Sequence, residues 1–256
     1  MSELSIKLYS EALKRTVGFE MFIPNDLLAD EEYAARPMKT LFLLHGYHGC
    51  AGNYVPQHLC EKYKFAVVMP NGENSFWIDG QSTGHQYGTF LCEELVSYVR
   101  KVFRLALTRE DTYIMGLSMG GFGAIHSALM YSDTFGKAAA MSSALIIHKV
   151  AQMKPGSSDD VANYDYYREV FGDPEKLESS ENNPENIAKW LMDEGSTVPE
   201  LFMSCGTEDF LLEENRQFHE YLELINFPHT YIESVGGHDN FFWDEYTVKF
   251  IDMMMK

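Results

Sequence analysis

One stretch, residues 113–124, restricts this chain more than any other. An apolar run ends abruptly at Ser118 and turns at once into a second apolar, glycine-rich run. Gly116-x-Ser118-x-Gly120 is the pattern of a strand–turn–helix elbow that holds a serine up for nucleophilic attack. Such a turn presses neighbouring backbones together and strains its central residue, so positions two before and two after it exclude bulky side chains. Ser118 then stands over a helix amino terminus, whose free N–H groups favour a developing negative charge. The plain alternative is a glycine-rich turn with an ordinary serine. Three glycines in Gly120-Gly121-Phe122-Gly123 lack the Lys-Ser/Thr of a phosphate loop and the order of a dinucleotide fingerprint.

The surroundings favour the elbow. Residues 4–9 and 16–23 alternate in polarity around a short polar stretch and predict a hairpin at a sheet edge. Residues 24–37 read as a polar connection and 38–44 as a buried strand ending at His45-Gly46. A helix over 53–63, a strand over 65–69, a loop over 74–88 and a helix over 90–103 lead into the elbow. Beyond its helix come a strand over 137–144, an irregular segment over 147–190, and strand–helix–strand–helix over 200–205, 211–226, 229–235 and 241–254. This alternation predicts an α/β fold: a mostly parallel central sheet, helices on both faces, and an added N-terminal antiparallel hairpin. The expected organisation is one domain, 1–256, with 147–190 as a short helical, cap-like insertion.

Chemistry in such sheets collects past the carboxyl ends of the strands. A serine hydroxyl needs a base to take its proton and an acid to orient that base. Asp209 follows the strand over 200–205, and His238 follows Gly236-Gly237 after the strand over 229–235. For Asp209 the structural alternative is a helix cap; Glu208 and Asp239 are the other acids within reach. For His238 it is a loop histidine bonded to nearby backbone, and the aromatics Phe241, Phe242 and Trp243 behind it are placed to exclude water. The oxyanion donors expected are the N–H groups of Met119 and of Tyr47, the latter in the His45-Gly46-Tyr47-His48-Gly49 loop. His45 and His48 alone do not complete a zinc site, and His219-Glu220 lacks the second histidine of H-E-x-x-H, so no metal is expected.

A formal net charge of −18 with no basic run argues against nucleic acid and anionic membrane surfaces as partners. No apolar run approaches the roughly 18 residues of a membrane span. The start shows no basic leader or apolar core, and Cys50, Cys60, Cys92 and Cys205 form no C-x-x-C pair. The expectation is reduced thiols in a cytoplasmic protein.

Together, Leu43-Leu44-His45-Gly46, Val67-Val68-Met69-Pro70, Asn74-Ser75-Phe76, Gly116-Leu117-Ser118-Met119-Gly120-Gly121 and Gly236-Gly237-His238 resemble the esterase D / S-formylglutathione hydrolase-like group of α/β-hydrolases, most of all the bacterial tributyrin-esterase-type acetylesterases. The resemblance spans nearly the whole chain. It implies a cofactor-free serine carboxylesterase acting on small, short-chain acyl esters through Ser118, with Asp209 as acid, His238 as base and Tyr47 and Met119 as oxyanion donors. It also places Trp77 beside the acyl or alcohol pocket, where it either stacks on substrate or packs in the core. Gly46-Tyr47-His48-Gly49-Cys50 departs from the Gly-Leu-Thr-Cys-type loop of esterase D, which counts against a glutathione thioester. S-formylglutathione hydrolase, feruloyl or acetyl-xylan esterase, acyltransferase and a non-catalytic binding module are the other readings. Self-association as a homo-oligomer stays open.

Overall fold

A computed structural model describes residues 2–24, 38–52 and 57–256. The connection read over 24–37 and the start of the helix read over 53–63 fall largely or wholly outside those residues. The chain opens with an antiparallel hairpin, β1 (Ser2–Ser10) and β2 (Arg15–Ile23). Strand and helix then alternate through β3 (Thr40–Leu44), α1 (Gln57–Tyr63), β4 (Ala66–Pro70), α2 (Val96–Phe103), β5 (Thr112–Leu117) and α3 (Met119–Met130). After β6 (Lys137–Met141) come the helical pieces α4 (Ile147–Ala151), α5 (Tyr164–Phe171), α6 (Pro174–Leu177) and α7 (Pro184–Asp193). The chain closes with β7 (Glu200–Gly206), α8 (Leu212–Leu224), β8 (His229–Ser234) and α9 (Asn240–Met255).

The strands form one sheet in the order β1-β2-β4-β3-β5-β6-β7-β8. The hairpin occupies one edge, β2 joins β4 antiparallel, and every pairing from β4 onward is parallel. β3 lies between β4 and β5, so the direction of winding reverses there. At such a reversal the outgoing loops part and leave a crevice beyond the strand ends. The loops leaving β3 and β5 carry Tyr47 and Ser118.

Adjacent residues of a strand face opposite sides, and both sides are covered. Leu41, Val67 and Met115 pack with Leu59 of α1 and Phe250 of α9. Phe42, Val68 and Ile114 pack with Val99 of α2, Phe122 of α3 and Phe218 of α8. α3 is buried from Met119 to Leu129, as its apolar, small-residue sequence requires. The helix read over 90–103 departs from expectation at its start. Phe90–Leu95 is a widened π turn that buries Phe90, Leu91 and Cys92 in succession. From it Glu94 accepts the Ala12 N–H at 2.8 Å and the Ser10 hydroxyl at 2.5 Å, which ties the hairpin turn to the helical layer.

The pairs Asp173-Pro174 and Asn183-Pro184, which interrupt any periodicity in the sequence, are helix starts. Asp173 and Asn183 accept the N–H groups of Glu175 and Glu185, and each proline takes the first helical position. This segment meets the elbow helix at His126, whose Nε2–H donates to the Glu181 carbonyl at 3.0 Å while its ring stacks on Phe122. Burial pulls the imidazole down to about 4, against the opposing effect of the Glu181 bond. Between pH 6.5 and about 4 the unfolded chain therefore takes up a proton that the folded protein refuses. Stability is complete above that window and falls on acidification through it, by about 3 kcal/mol. His126→Gln is expected to flatten this slope, read from urea midpoints at pH 7 and pH 4.5.

Candidate active site

Ser118 sits between β5 and α3 with φ 54° and ψ −119°, a left-handed conformation strained for any residue but glycine. The neighbours hold it there. Its N–H donates to the Met141 carbonyl at 2.9 Å, and its carbonyl accepts the N–H groups of Phe122 and Ala144 at 3.1 and 3.0 Å. A Cβ on Gly116 would come within 2.2 Å of the Gly120 carbonyl oxygen, so the helix can fold back onto its strand only over a glycine.

The loops after β7 and β8 carry the partners. A Cβ on Gly206 would lie 2.2 Å from the Gly236 carbonyl oxygen, and the Glu208 N–H donates to that same oxygen at 2.9 Å. The two exits are thereby pressed together. His238 Nε2 lies 3.0 Å from Ser118 Oγ, and its Nδ1 lies 3.0 and 3.1 Å from the two oxygens of Asp209. An ionised carboxylate only accepts, so in the neutral ring the proton resides on Nδ1 and Nε2 is left to accept from the serine. The Asp209 side chain is fully buried and His238 is 17% exposed. Burial by itself would raise the Asp209 carboxyl, but the bonds from His238 and the Leu211 N–H hold it below the usual range. It therefore stays ionised beside the imidazole.

Both readings of Asp209 coexist, since it also accepts the Leu211 N–H at 2.8 Å just ahead of α8. The other acids lie elsewhere. Glu208 is exposed, and Asp239 caps α9 by accepting the Phe242 N–H at 3.1 Å.

The loop after β3 is braced by His45. Its Nε2 accepts the Gly72 N–H at 3.0 Å, which leaves the proton on Nδ1 to donate to the Gly46 carbonyl at 2.8 Å. Burial pulls this imidazole down and keeps it neutral. The Gly49 N–H reaches the same carbonyl at 3.0 Å. A trans peptide directs its C=O and N–H to opposite sides, so the Tyr47 N–H faces away from both donors. Among the described residues, neither this N–H nor that of Met119 donates a bond within the protein. Tyr47 and Met119 line one cavity with Ser118 and His238.

That cavity measures about 960 Å³, and Phe76, Leu117, Ile146, Val161 and Phe210 give it apolar walls. Ile146, Val161 and Phe210 carried no signal in the local sequence, because the wall is assembled from four separate loops and the end of β5. Trp77 is the correction. It is fully buried and does not face the cavity. Left-handed backbone at Phe76 and Trp77, φ 54° and 62°, turns the indole beneath the elbow, where it fills the space left by Gly72 and Gly123. Its Nε1–H donates to the His45 carbonyl at 3.2 Å. Trp77→Ala is expected to lower stability by about 3–5 kcal/mol and to reduce kcat by loosening the His45 loop, with acyl-length preference unchanged. Urea unfolding and a series of p-nitrophenyl esters read the two effects separately.

Among the described residues no three His, Cys, Asp or Glu side chains converge as a metal-ligand set; His48 is exposed while His45 is committed to backbone. No helix among them is long and apolar enough to cross a membrane.

The family model "Esterase: Putative esterase" matches residues 10–256. An acetyl esterase of Caldicellulosiruptor saccharolyticus is 36% identical over 266 residues, covering 100% of this chain and 99% of that one. Among solved structures, a substrate-bound fluorophosphonate-binding serine hydrolase F of Staphylococcus aureus superposes with a TM-score of 0.87 at 27% identity, covering 100% and 98%. The S-formylglutathione hydrolase of the same organism gives 0.84 at 26% identity, covering 100% and 99%.

Proposed function

The chain belongs to the Esterase family and is a serine ester hydrolase; from that premise we propose that it cleaves short-chain, acetyl-type carboxylic esters through an acyl-enzyme on Ser118. The single observation that carries the reading is the unbroken line of bonds from Ser118 Oγ through His238 to Asp209, each about 3 Å. Ser118 Oγ attacks the ester carbonyl as His238 Nε2 takes its proton. The oxyanion of the tetrahedral intermediate meets the N–H groups of Tyr47 and Met119. The resulting imidazolium, steadied by Asp209, passes the proton to the departing alcohol. Water, deprotonated by the same nitrogen, then attacks the acyl-enzyme and releases the acid and Ser118.

Two features support an acetyl ester of a sizeable neutral alcohol over a glutathione thioester. The cavity holds far more than an acetyl group, which leaves room for the alcohol. Its rim carries Asp159, Asp160 and Asp244, while its Lys149 is paired with Glu214, so an anionic leaving group meets net negative charge. The full-length likeness to an acetyl esterase points the same way. The test is kcat/KM across p-nitrophenyl acetate to octanoate, acetylated xylo-oligosaccharides, methyl ferulate and S-formylglutathione. The expected maximum lies among the acetyl to butyryl esters; a maximum on S-formylglutathione or the ferulate overturns the substrate assignment.

A further inference from the structure

The loop after β4 holds the loop after β3 in place. Its Asn71 Oδ1 accepts the Ala51 N–H at 2.7 Å, the Gly72 N–H reaches the His45 ring, and the Trp77 indole N–H reaches the His45 carbonyl. Asn74, to which the sequence assigned no task in Asn74-Ser75-Phe76, completes the set. Its Oδ1 accepts the His48 N–H at 2.9 Å. A backbone N–H only donates, so the amide oxygen is the atom that faces it. His48 has φ 63°, and a residue with a side chain stays left-handed only where its surroundings over-determine it.

Two peptide planes meet at the Tyr47 Cα. The first, from Gly46 to Tyr47, is fixed at its carbonyl by His45 and Gly49. The second, from Tyr47 to His48, is fixed at its N–H by Asn74. A trans peptide is rigid, so holding both planes sets φ and ψ at Tyr47, and with them the direction of the Tyr47 N–H. Asn74 is itself held by the insertion. The Tyr166 hydroxyl on α5 donates to the Asn74 carbonyl at 2.5 Å. The Tyr166 ring stands edge-on to the Tyr47 ring, with centroids 5.9 Å apart and planes at 85°. Tyr47 lines the cavity with Ser118, and Asn74 does not, so any effect of Asn74 on the reaction passes through the loop.

We propose that Asn74 is a positioning residue, with Tyr166 behind it: it fixes the peptide after Tyr47 so that the Tyr47 N–H points at the oxyanion formed on Ser118. The proposal rests on the roles assigned above to Ser118 and Tyr47. Asn74→Ala removes the acceptor of the His48 N–H and leaves the cavity walls intact. Tyr166→Phe removes only the hydroxyl and keeps the ring against Tyr47.

Each variant is expected to lower kcat for p-nitrophenyl acetate about five-fold with KM unchanged, as loss of one neutral hydrogen bond implies. The split arises because the oxyanion exists in the transition state and not in the bound ester. The double variant should lose no more than the worse single one, because Tyr166 acts through Asn74. A second readout needs no turnover. A trifluoromethyl ketone adds to Ser118 as a hemiketal with a negative oxygen, and its affinity should fall by the same factor as kcat. Wild-type kcat and ketone affinity in both single variants, a loss confined to KM, or losses that multiply in the double variant overturn the proposal. If Asn74→Ala does not fold, Tyr166→Phe decides by the same criteria. If the wild type hydrolyses no ester yet binds the ketone, the functional reading fails while the ketone affinities still test the brace; if it does neither, both fall.

Discussion

Ser118→Ala is expected to leave a folded protein whose kcat for p-nitrophenyl acetate is about 10⁵- to 10⁶-fold lower. The size of the loss follows from the cooperation of the group. Without Oγ, the proposed proton acceptor 3.0 Å away at His238 has nothing to activate, and the oxyanion proposed to meet the Tyr47 and Met119 N–H groups no longer forms on the enzyme. Folding should survive, because Ser118 is held at φ 54° by its backbone N–H and carbonyl, and alanine retains both. Substrate binding should survive as well, since the cavity walls are untouched. The decisive measurement is kcat with a burst assay and thermal melt on the same preparation. Residual activity within a hundred-fold of wild type would mean that the nucleophile lies elsewhere.

Asp209→Asn should cost about 10⁴-fold in kcat while leaving the cavity unchanged. The substitution is nearly isosteric, so its effect is one of proton placement. Asparagine turns one acceptor into an NH₂ donor, and a donor facing His238 Nδ1 stabilises the tautomer with its proton on Nε2. That nitrogen then presents a hydrogen to Ser118 instead of a lone pair. The amide oxygen can still accept the Leu211 N–H, so the start of α8 need not unravel. Near-UV circular dichroism matching wild type together with the kinetic loss supports the assignment. A loss below ten-fold would show that another group orients the imidazole.

Much of the site was legible in the chain because its most constrained parts are local. Gly116 and Gly120 must be glycines for a strand to reverse into a helix over so few atoms, and they frame Ser118 within five consecutive positions. Gly236-Gly237-His238 is legible for the same reason. Asp209 was harder, since an aspartate ahead of a helix has an ordinary local task, which it also performs. The contacts that choose it over Glu208 come from Gly236 and His238, thirty residues away in round terms. Trp77 was misplaced because two left-handed residues in succession turn the indole inward, and nothing in Asn74-Ser75-Phe76-Trp77 signals their φ values.

The amino-acid sequence alone determined the alternation of strands and helices, the elbow, and the place of Ser118 at its turn, because each depends on periodicity or on steric limits among neighbours in the chain. Only the tertiary structure decided which aromatic faces the cavity, Phe76 in place of Trp77, and that Trp243, bonded to Ser142, stands against His238. Those contacts join residues brought together by the stacking of parallel strands, such as Ser142 at the end of β6 with Trp243 on α9. Their geometry depends on the twist, register and packing of the whole sheet, which no short window of residues encodes.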